Sequence, residues 1–177
     1  ERTNIVVDEC GFSQKTTAKK TWAPSGQTPV LEMNFNWDKL SVIGGISLKS
    51  IWFQIHEESV KSAQVTAFLD QLKRYVKGNL LIIWDGLPAH RSKVVAQYLS
   101  EQQGRILVER LPAYAPELNP IEYLWGNVKG NDLANFSPKE LWELCTAARE
   151  ALIKKRRRPK LIRAFWRQTE LDLTEAA

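Results

Sequence analysis

Cysteine is almost missing from this chain, with two in 177 residues. Cys10 and Cys145 stand far apart with no Cys-x-x-Cys partner, which excludes a disulfide framework and a thiolate zinc site. That usage fits a reducing, cytoplasmic setting. Long apolar runs are missing too: none approaches the about 20 residues a membrane span needs, so no membrane partner is expected. The start, Glu1-Arg2-Thr3-Asn4, has no signal-peptide pattern and leads straight into apolar residues. There is no initiator Met, and we expect the chain to be part of a longer protein. Internal repeats and low-complexity linkers are also lacking. What is there is 44% hydrophobic. That is enough for one globular domain with a core spanning 1–177, and too short for two large domains.

Positive charge is concentrated rather than spread. The formal net charge is +5, and Lys154, Lys155, Arg156, Arg157 and Arg158 alone supply that many positive charges. Concentrated basicity suggests a polyanion such as nucleic acid. A solvated basic helix end accounts for the run equally well.

Ile5-Val6-Val7 leads into Asp8 as a strand. Residues 14–30 are polar, carry Lys15, Lys19, Lys20 and the turn formers Pro24-Ser25-Gly26, and read as a hairpin arm with Trp22 upon it. Leu40–Leu48 and Ile51–Ile55 give two more strands, with links short enough for antiparallel pairing. The period then changes: Val65, Phe68, Leu69, Leu72 and Val76 fall at helical spacing. Leu80–Trp84 is an unbroken apolar run, as in a strand buried on both faces. Residues 90–102 read as a helix, Ile106–Val108 as a strand, and Leu111–Pro120 as a proline-rich loop. Helical stripes follow at Ile121–Val128 and Leu141–Leu152, with a last helix over 159–171, so residues 137–177 form a C-terminal helical part. Strand–helix–strand units imply parallel pairing of the later strands. The expected fold is α/β: a mixed five-stranded sheet flanked by helices on both faces. Trp84, Trp125 and Trp142 lie in or beside apolar stripes and are core candidates.

Three acids fall where such a sheet places a site. Asp8 ends or nearly ends the first strand, Asp85 ends the central one, and Glu122 opens a helix after the last. Carboxylates brought together repel one another unless cations join them. Hard divalent cations such as Mg²⁺ suit oxygen ligands. Two ions roughly 4 Å apart activate an attacking hydroxyl and stabilise a leaving oxygen at one phosphorus. Each acid also has a plain structural account. Asp8-Glu9 could be a strand end meeting water, the pair facing opposite sides. Asp85 before Gly86 and Pro88 could be a turn residue. Asn119-Pro120-Ile121-Glu122 has the form of a helix start, with Asn as cap, and Ser137-Pro138-Lys139-Glu140 has the same form with no sign of chemistry.

Longer blocks decide between these accounts. Trp84-Asp85-Gly86-Leu87-Pro88-Ala89-His90 and the run Leu111–Trp125 (LPAYAPELNPIEYLW) resemble the second and third signature blocks of the mariner superfamily of DDE transposases, in its bacterial insertion-sequence branch. Val7-Asp8-Glu9 with Phe12 resembles the first block, and Trp22–Pro29 the hairpin that follows it. The resemblance covers roughly residues 4–130. Gly86 stands where many relatives have Asn, Ser25 replaces a commonly basic residue, and the spacer 86–121 is slightly long.

The resemblance implies a ribonuclease H-like fold and a metal-dependent transposase domain that cleaves DNA at element ends and joins them to target DNA. By block position, Asp8, Asp85 and Glu122 would be the catalytic acids and the ligands of two Mg²⁺ ions, with Mn²⁺ able to substitute. It further implies a homodimer holding two element ends, and a bacterial, nucleoid-associated location. The helix-turn-helix domain that recognises element ends is not in this sequence. DNA contacts are expected from Lys19, Lys20, Trp22, His90, Arg91 and the run Lys154, Lys155, Arg156, Arg157, Arg158. His90 could bond a phosphate, orient Asp85 or cap a helix. The rival readings are another ribonuclease H-like nuclease, such as a junction resolvase, and a non-catalytic DNA-binding or regulatory remnant of a transposase.

Overall fold

The computed structural model of the chain describes residues 2–31, 37–112 and 115–171. Five strands form one sheet: β1 (Arg2–Ser13), β2 (Lys39–Ile46), β3 (Ile51–His56), β4 (Asn79–Trp84) and β5 (Ile106–Arg110). Five α-helices accompany it: α1 (Ser62–Tyr75), α2 (Lys93–Glu101), α3 (Pro120–Asn127), α4 (Leu141–Arg156) and α5 (Pro159–Arg167). The strand order is β3-β2-β1-β4-β5. The first three pair antiparallel, and β1, β4 and β5 pair parallel, as the short and long connections require.

Alternation along β1 sorts the two faces. Val6 and Phe12 enter one core with Ile121, Leu124 and Trp125 of α3 and the apolar stripes of α4 and α5. Ile5 and Val7 enter the other with Phe68 and Leu72 of α1 and Val95 of α2. Asp8 and Cys10 therefore share the α3 side, and Glu9 the α1–α2 side.

Gly44 and Gly45 of β2 pair with Asp8 and Val7. A Cβ on Gly44 would lie 2.5 Å from the Trp125 ring, and one on Gly45 would lie 2.9 Å from Ile5 with Phe68 just beyond. These two glycines let an aromatic ring from each helical layer lie against the sheet beside the first acid.

Several sequence expectations give way. The segment 14–30 turns at Pro24–Gln27, where Gln27 N–H donates to the Pro24 carbonyl at 3.0 Å, but its limbs form no ladder with one another among the described residues. Its base is tied to the helical layer instead: Thr17 bridges Ala134, and the Asn135 amide holds both the N–H and the carbonyl of Lys19. α2 begins at Lys93, where the Ser92 hydroxyl accepts from Val95 N–H, and not at residue 90. Ser137 does not start α4; Glu140 caps it, and Glu143 accepts from the N–H groups of Glu140 and Lys139. α5 stops at Arg167, and the Thr169 hydroxyl takes up the Trp166 carbonyl. Trp142 is 65% exposed, so it belongs to no core, whereas Trp84 and Trp125 are buried. Between α3 and α4 the backbone makes a π-helical turn at Val128–Asp132 that no residue pattern announces.

Candidate active site at the carboxyl ends of β1 and β4

β1 and β4 run parallel with Val6 opposite Ile83. Two residues further along each chain stand Asp8 and Asp85, so the register alone sets the acids side by side where β4 ends. α3 crosses the same end. It starts as its sequence suggests: the Asn119 side chain accepts from Ile121 N–H at 3.3 Å and Pro120 fills the first turn. Glu122 sits in that turn with its side chain exposed. One turn later Trp125 descends onto Gly44, and its indole N–H donates to Asp8 Oδ2 at 3.0 Å.

Burial pushes the Asp8 carboxyl up to about 7, against the pull of the Trp125 hydrogen bond, and the charges of Glu9 and Asp85 push in the same direction. A carboxylate with like charges at its side is a site short of positive charge.

On the opposite face a buried imidazole joins two acids. His90 stacks flat on Trp84, with ring centroids 4.3 Å apart and planes within 4°. Its Nε2 lies 2.8 Å from Glu9 Oε1 and its Nδ1 lies 2.9 Å from Asp85 Oδ1. Both ring nitrogens face carboxylate oxygens, which only accept, so the ring that satisfies both contacts is the doubly protonated imidazolium. Burial alone would lower the His90 pKa; the hydrogen bond and charge of Glu9, with those of Asp85, outweigh it and raise it. Asp85 Oδ1 also accepts from Leu87 N–H at 3.0 Å. One oxygen of Asp85 is thus fixed by two donors, while Oδ2 has no hydrogen bond among the described residues.

Glu9, Asp85 and His90 are the one trio among the described residues whose ligand atoms lie within 4.8 Å of one another. They do not make a cation cage, because both nitrogens of the ring are already engaged by the carboxylates. Asp8, Asp85 and Glu122 are spread more widely. Burial raises the Cys10 thiol, two residues past Asp8; the nearby Lys129 ammonium lowers it, and the charges of Asp8 and Glu122 add to the rise. Lys129 itself lies over the Phe12 ring at 5.8 Å. The α3 side of the sheet end therefore holds Asp8, Glu122 and an ammonium group together.

The expected DNA-contact residues separate by burial. Lys20, Trp22, Arg91, Lys154, Arg156, Arg157 and Arg158 are exposed, Trp22 almost completely. Lys19 is exposed as well, but its ammonium donates to the Gly130 carbonyl at 2.8 Å and to Asn131 at 3.2 Å. His90 faces no solvent phosphate: its side chain is 1% exposed and sits between the acids. Lys155 leaves the basic surface altogether. It is buried and pairs with Asp132 of the π turn at 2.7 Å, because the helix phase of α4 carries it inward while its neighbours point out. Sequence reasoning misses Glu9, Trp125 and Lys129 as site residues. Strand alternation is the available signal for Glu9, and the helical spacing from Glu122 for Trp125; the π turn hides Lys129.

The profile of the family described as DDE superfamily endonuclease matches residues 3–145. The chain belongs to this family. Among solved structures, this DDE chain is similar to the Mos1 transposase paired-end complex with left transposon end, at 18% identity and a TM-score of 0.70 over 94% of this chain and 51% of that one. It is also similar to the Mos1 mariner paired end complex with Mn, at 19% identity and TM-score 0.68 over 98% of this chain and 55% of that one. The catalytic domain of Mos1 mariner transposase matches at 17% identity and TM-score 0.63, over 94% and 75%. The sheet order and flanking helices are those of the ribonuclease H-like fold. The DDE chain spans about half the length of the first of these structures. No curated protein matches it. No helix among its described residues is long and apolar enough to cross a membrane.

Proposed function

We propose that the chain is the catalytic domain of a DNA transposase of the mariner superfamily, from its bacterial insertion-sequence branch, and that Asp8, Asp85 and Glu122 hold two Mg²⁺ ions, replaceable by Mn²⁺. The observation that carries this reading is the convergence of the three acids on one sheet end from three separate elements, with a buried, proton-retaining Asp8 among them. An acid that burial and neighbouring charge hold protonated is matched to a cation that relieves both. When bound, the ions would supply Lewis-acid stabilisation of an attacking and a leaving oxygen at phosphorus.

The chain's own residues do the rest. Trp125 fixes one oxygen of Asp8, His90 and Leu87 fix one oxygen of Asp85, and the capped start of α3 aims Glu122. Preorganisation of this kind keeps ligands in place through each displacement. The reaction class is phosphodiester hydrolysis at an element end followed by attack of the freed 3′-hydroxyl on target DNA. The Mos1 paired-end complex with a left transposon end supports DNA as a partner, and a homodimer holding two ends is what the family resemblance implies.

The test uses supercoiled plasmid and a labelled duplex with a free 3′ end, with Mg²⁺ or Mn²⁺. The wild-type chain should nick the plasmid and join the duplex to it, and Asp85→Ala should abolish both. Joining that survives in Asp85→Ala would overturn the site. Nicking without joining would favour a hydrolytic nuclease of the same fold, and neither activity in the wild type would favour a binding remnant.

A further inference from the structure

Beside the acids lies a cavity of about 440 Å³ that the proposed chemistry does not use. It opens between the end of β1 and the π turn. Leu133, Phe136 and Leu144 form its apolar wall, and Lys15 and Lys129 stand on its lining. That volume lies within the roughly 300–1,000 Å³ of small-ligand sites. Thr16 also lines it and is only 7% exposed, yet its hydroxyl has no hydrogen-bond partner. Buried hydroxyls without partners are uncommon in folded proteins, since losing water without a replacement is unfavourable. A hydroxyl of this sort, inside a cavity lined by two lysines, Lys129 with its ammonium over Phe12 and Lys15 with its ammonium over Trp37, points to a ligand with both an anionic and a hydrogen-bonding part.

The cavity adjoins the acidic end. Its lining includes Gly11 and Phe12 of β1, the strand that carries Asp8, and Lys129, whose ammonium lies over the Phe12 ring. Phe12, on the lining, is four residues beyond Asp8 along an extended strand, about 13 Å away. A DNA strand held at the acids advances about 3.4 Å per stacked nucleotide, so the cavity falls roughly two to four nucleotides from the reacting phosphate.

We propose that this cavity holds one unstacked nucleotide of the bound DNA strand, its base against Phe136 and the Thr16 hydroxyl and its phosphate between Lys15 and Lys129. The inference rests on the DNA-processing reading above and adds a subsite to it. Each group has a distinct part. The apolar wall takes the base faces, as aromatic platforms do for single strands. The hydroxyl both donates and accepts, so it meets any base edge without strict sequence preference. The ammonium groups hold the phosphate without reading sequence.

The test measures binding by fluorescence anisotropy with no divalent cation present, so that catalysis plays no part. Labelled duplexes with a three-nucleotide single-stranded extension carry one abasic position, moved stepwise through the extension and the adjoining pairs. In the wild-type chain, affinity should fall roughly fivefold or more at a single position and stay near the parent value at its neighbours. Thr16→Val keeps the shape and removes the orphaned hydroxyl. It should flatten this profile while raising the melting temperature, and Thr16→Ser should retain the profile. A flat profile in the wild-type chain, or an unchanged one in Thr16→Val, would overturn the subsite and leave the hydroxyl to water alone. Plasmid nicking is scored separately: a position-specific profile without nicking sinks the transposase reading and spares the subsite, and nicking with a flat profile does the reverse.

Discussion

Asp8 and His90 are tuned in one thermodynamic direction. Asp8 holds its proton up to about 7 against an ordinary 3.8, and His90 is raised above its ordinary 6.5. The native state therefore binds these protons more tightly than the unfolded chain. The stability each contributes is fully present below its unfolded value and is lost as pH rises through its folded one. Without metal, the melting temperature should fall as pH rises from Asp8's ordinary 3.8 to about 7, and His90 should carry the fall on above 6.5. Divalent cations should reverse the loss, because they stabilise the ionised Asp8. Asp8→Asn should flatten the fall and remove most of the Mg²⁺-induced rise. Thermal denaturation of both proteins across pH, with and without Mg²⁺, decides the matter: an equal Mg²⁺ shift in Asp8→Asn would place the cation elsewhere.

At the scale of elements, the site depends on how closely α3 lies on β2. Gly44 leaves room for Trp125, and Trp125 fixes Asp8. Gly44→Ala should cost about 1–3 kcal/mol, the usual range for forcing extra atoms into a packed core, and should weaken metal binding by releasing Asp8. Gly11→Ala is the control on the same sheet, since its Cβ would meet nothing nearer than the Leu40 carbonyl at 4.0 Å. Urea denaturation with metal titration of both variants separates the two effects, and unchanged metal affinity in Gly44→Ala would remove Trp125 from the positioning role. The same element shows what a sequence conveys. Asn119-Pro120 announces a helix start because capping is local chemistry, and the apolar run Leu80–Trp84 announces a central strand because burial on both faces leaves no polar alternation. Ser137-Pro138 looks identical in form to Asn119-Pro120 and starts nothing, since the Glu140–Glu143 capping box competes three residues on. The π turn and the inward phase of Lys155 are set by packing between α3 and α4, which no local window contains. The trio Glu9, His90 and Asp85 needs the β1–β4 register before its members become neighbours.

Over the whole molecule, positive charge divides into a solvent-facing and an internal part. Lys154, Arg156, Arg157 and Arg158 are exposed, whereas Lys155 neutralises Asp132 inside the helical layer. Replacing the four exposed residues by Gln should lower the salt dependence of DNA binding by up to about 0.9 in slope for each phosphate left without its cation, with little change in stability. Lys155→Met should behave oppositely, leaving Asp132 buried and unpaired at a cost of about 3–5 kcal/mol while the salt slope holds. Salt titrations of binding beside denaturant unfolding test both. A steep loss of slope in folded Lys155→Met would return that residue to the DNA surface.

Consecutive acids on β1 have one more consequence. A single-residue slip of this strand would carry Asp8 and Glu9 each to the opposite helical layer, leaving one negative charge on each side but both displaced by a residue along the strand. With Glu9 moved into the Asp8 position, its longer carboxylate would be driven into the Trp125 indole, while Asp8 would fall in the position of Val7, inside the apolar layer and away from the imidazole ring. The pair therefore acts as a vernier for strand alignment: it tolerates no offset, although its total charge would never reveal one.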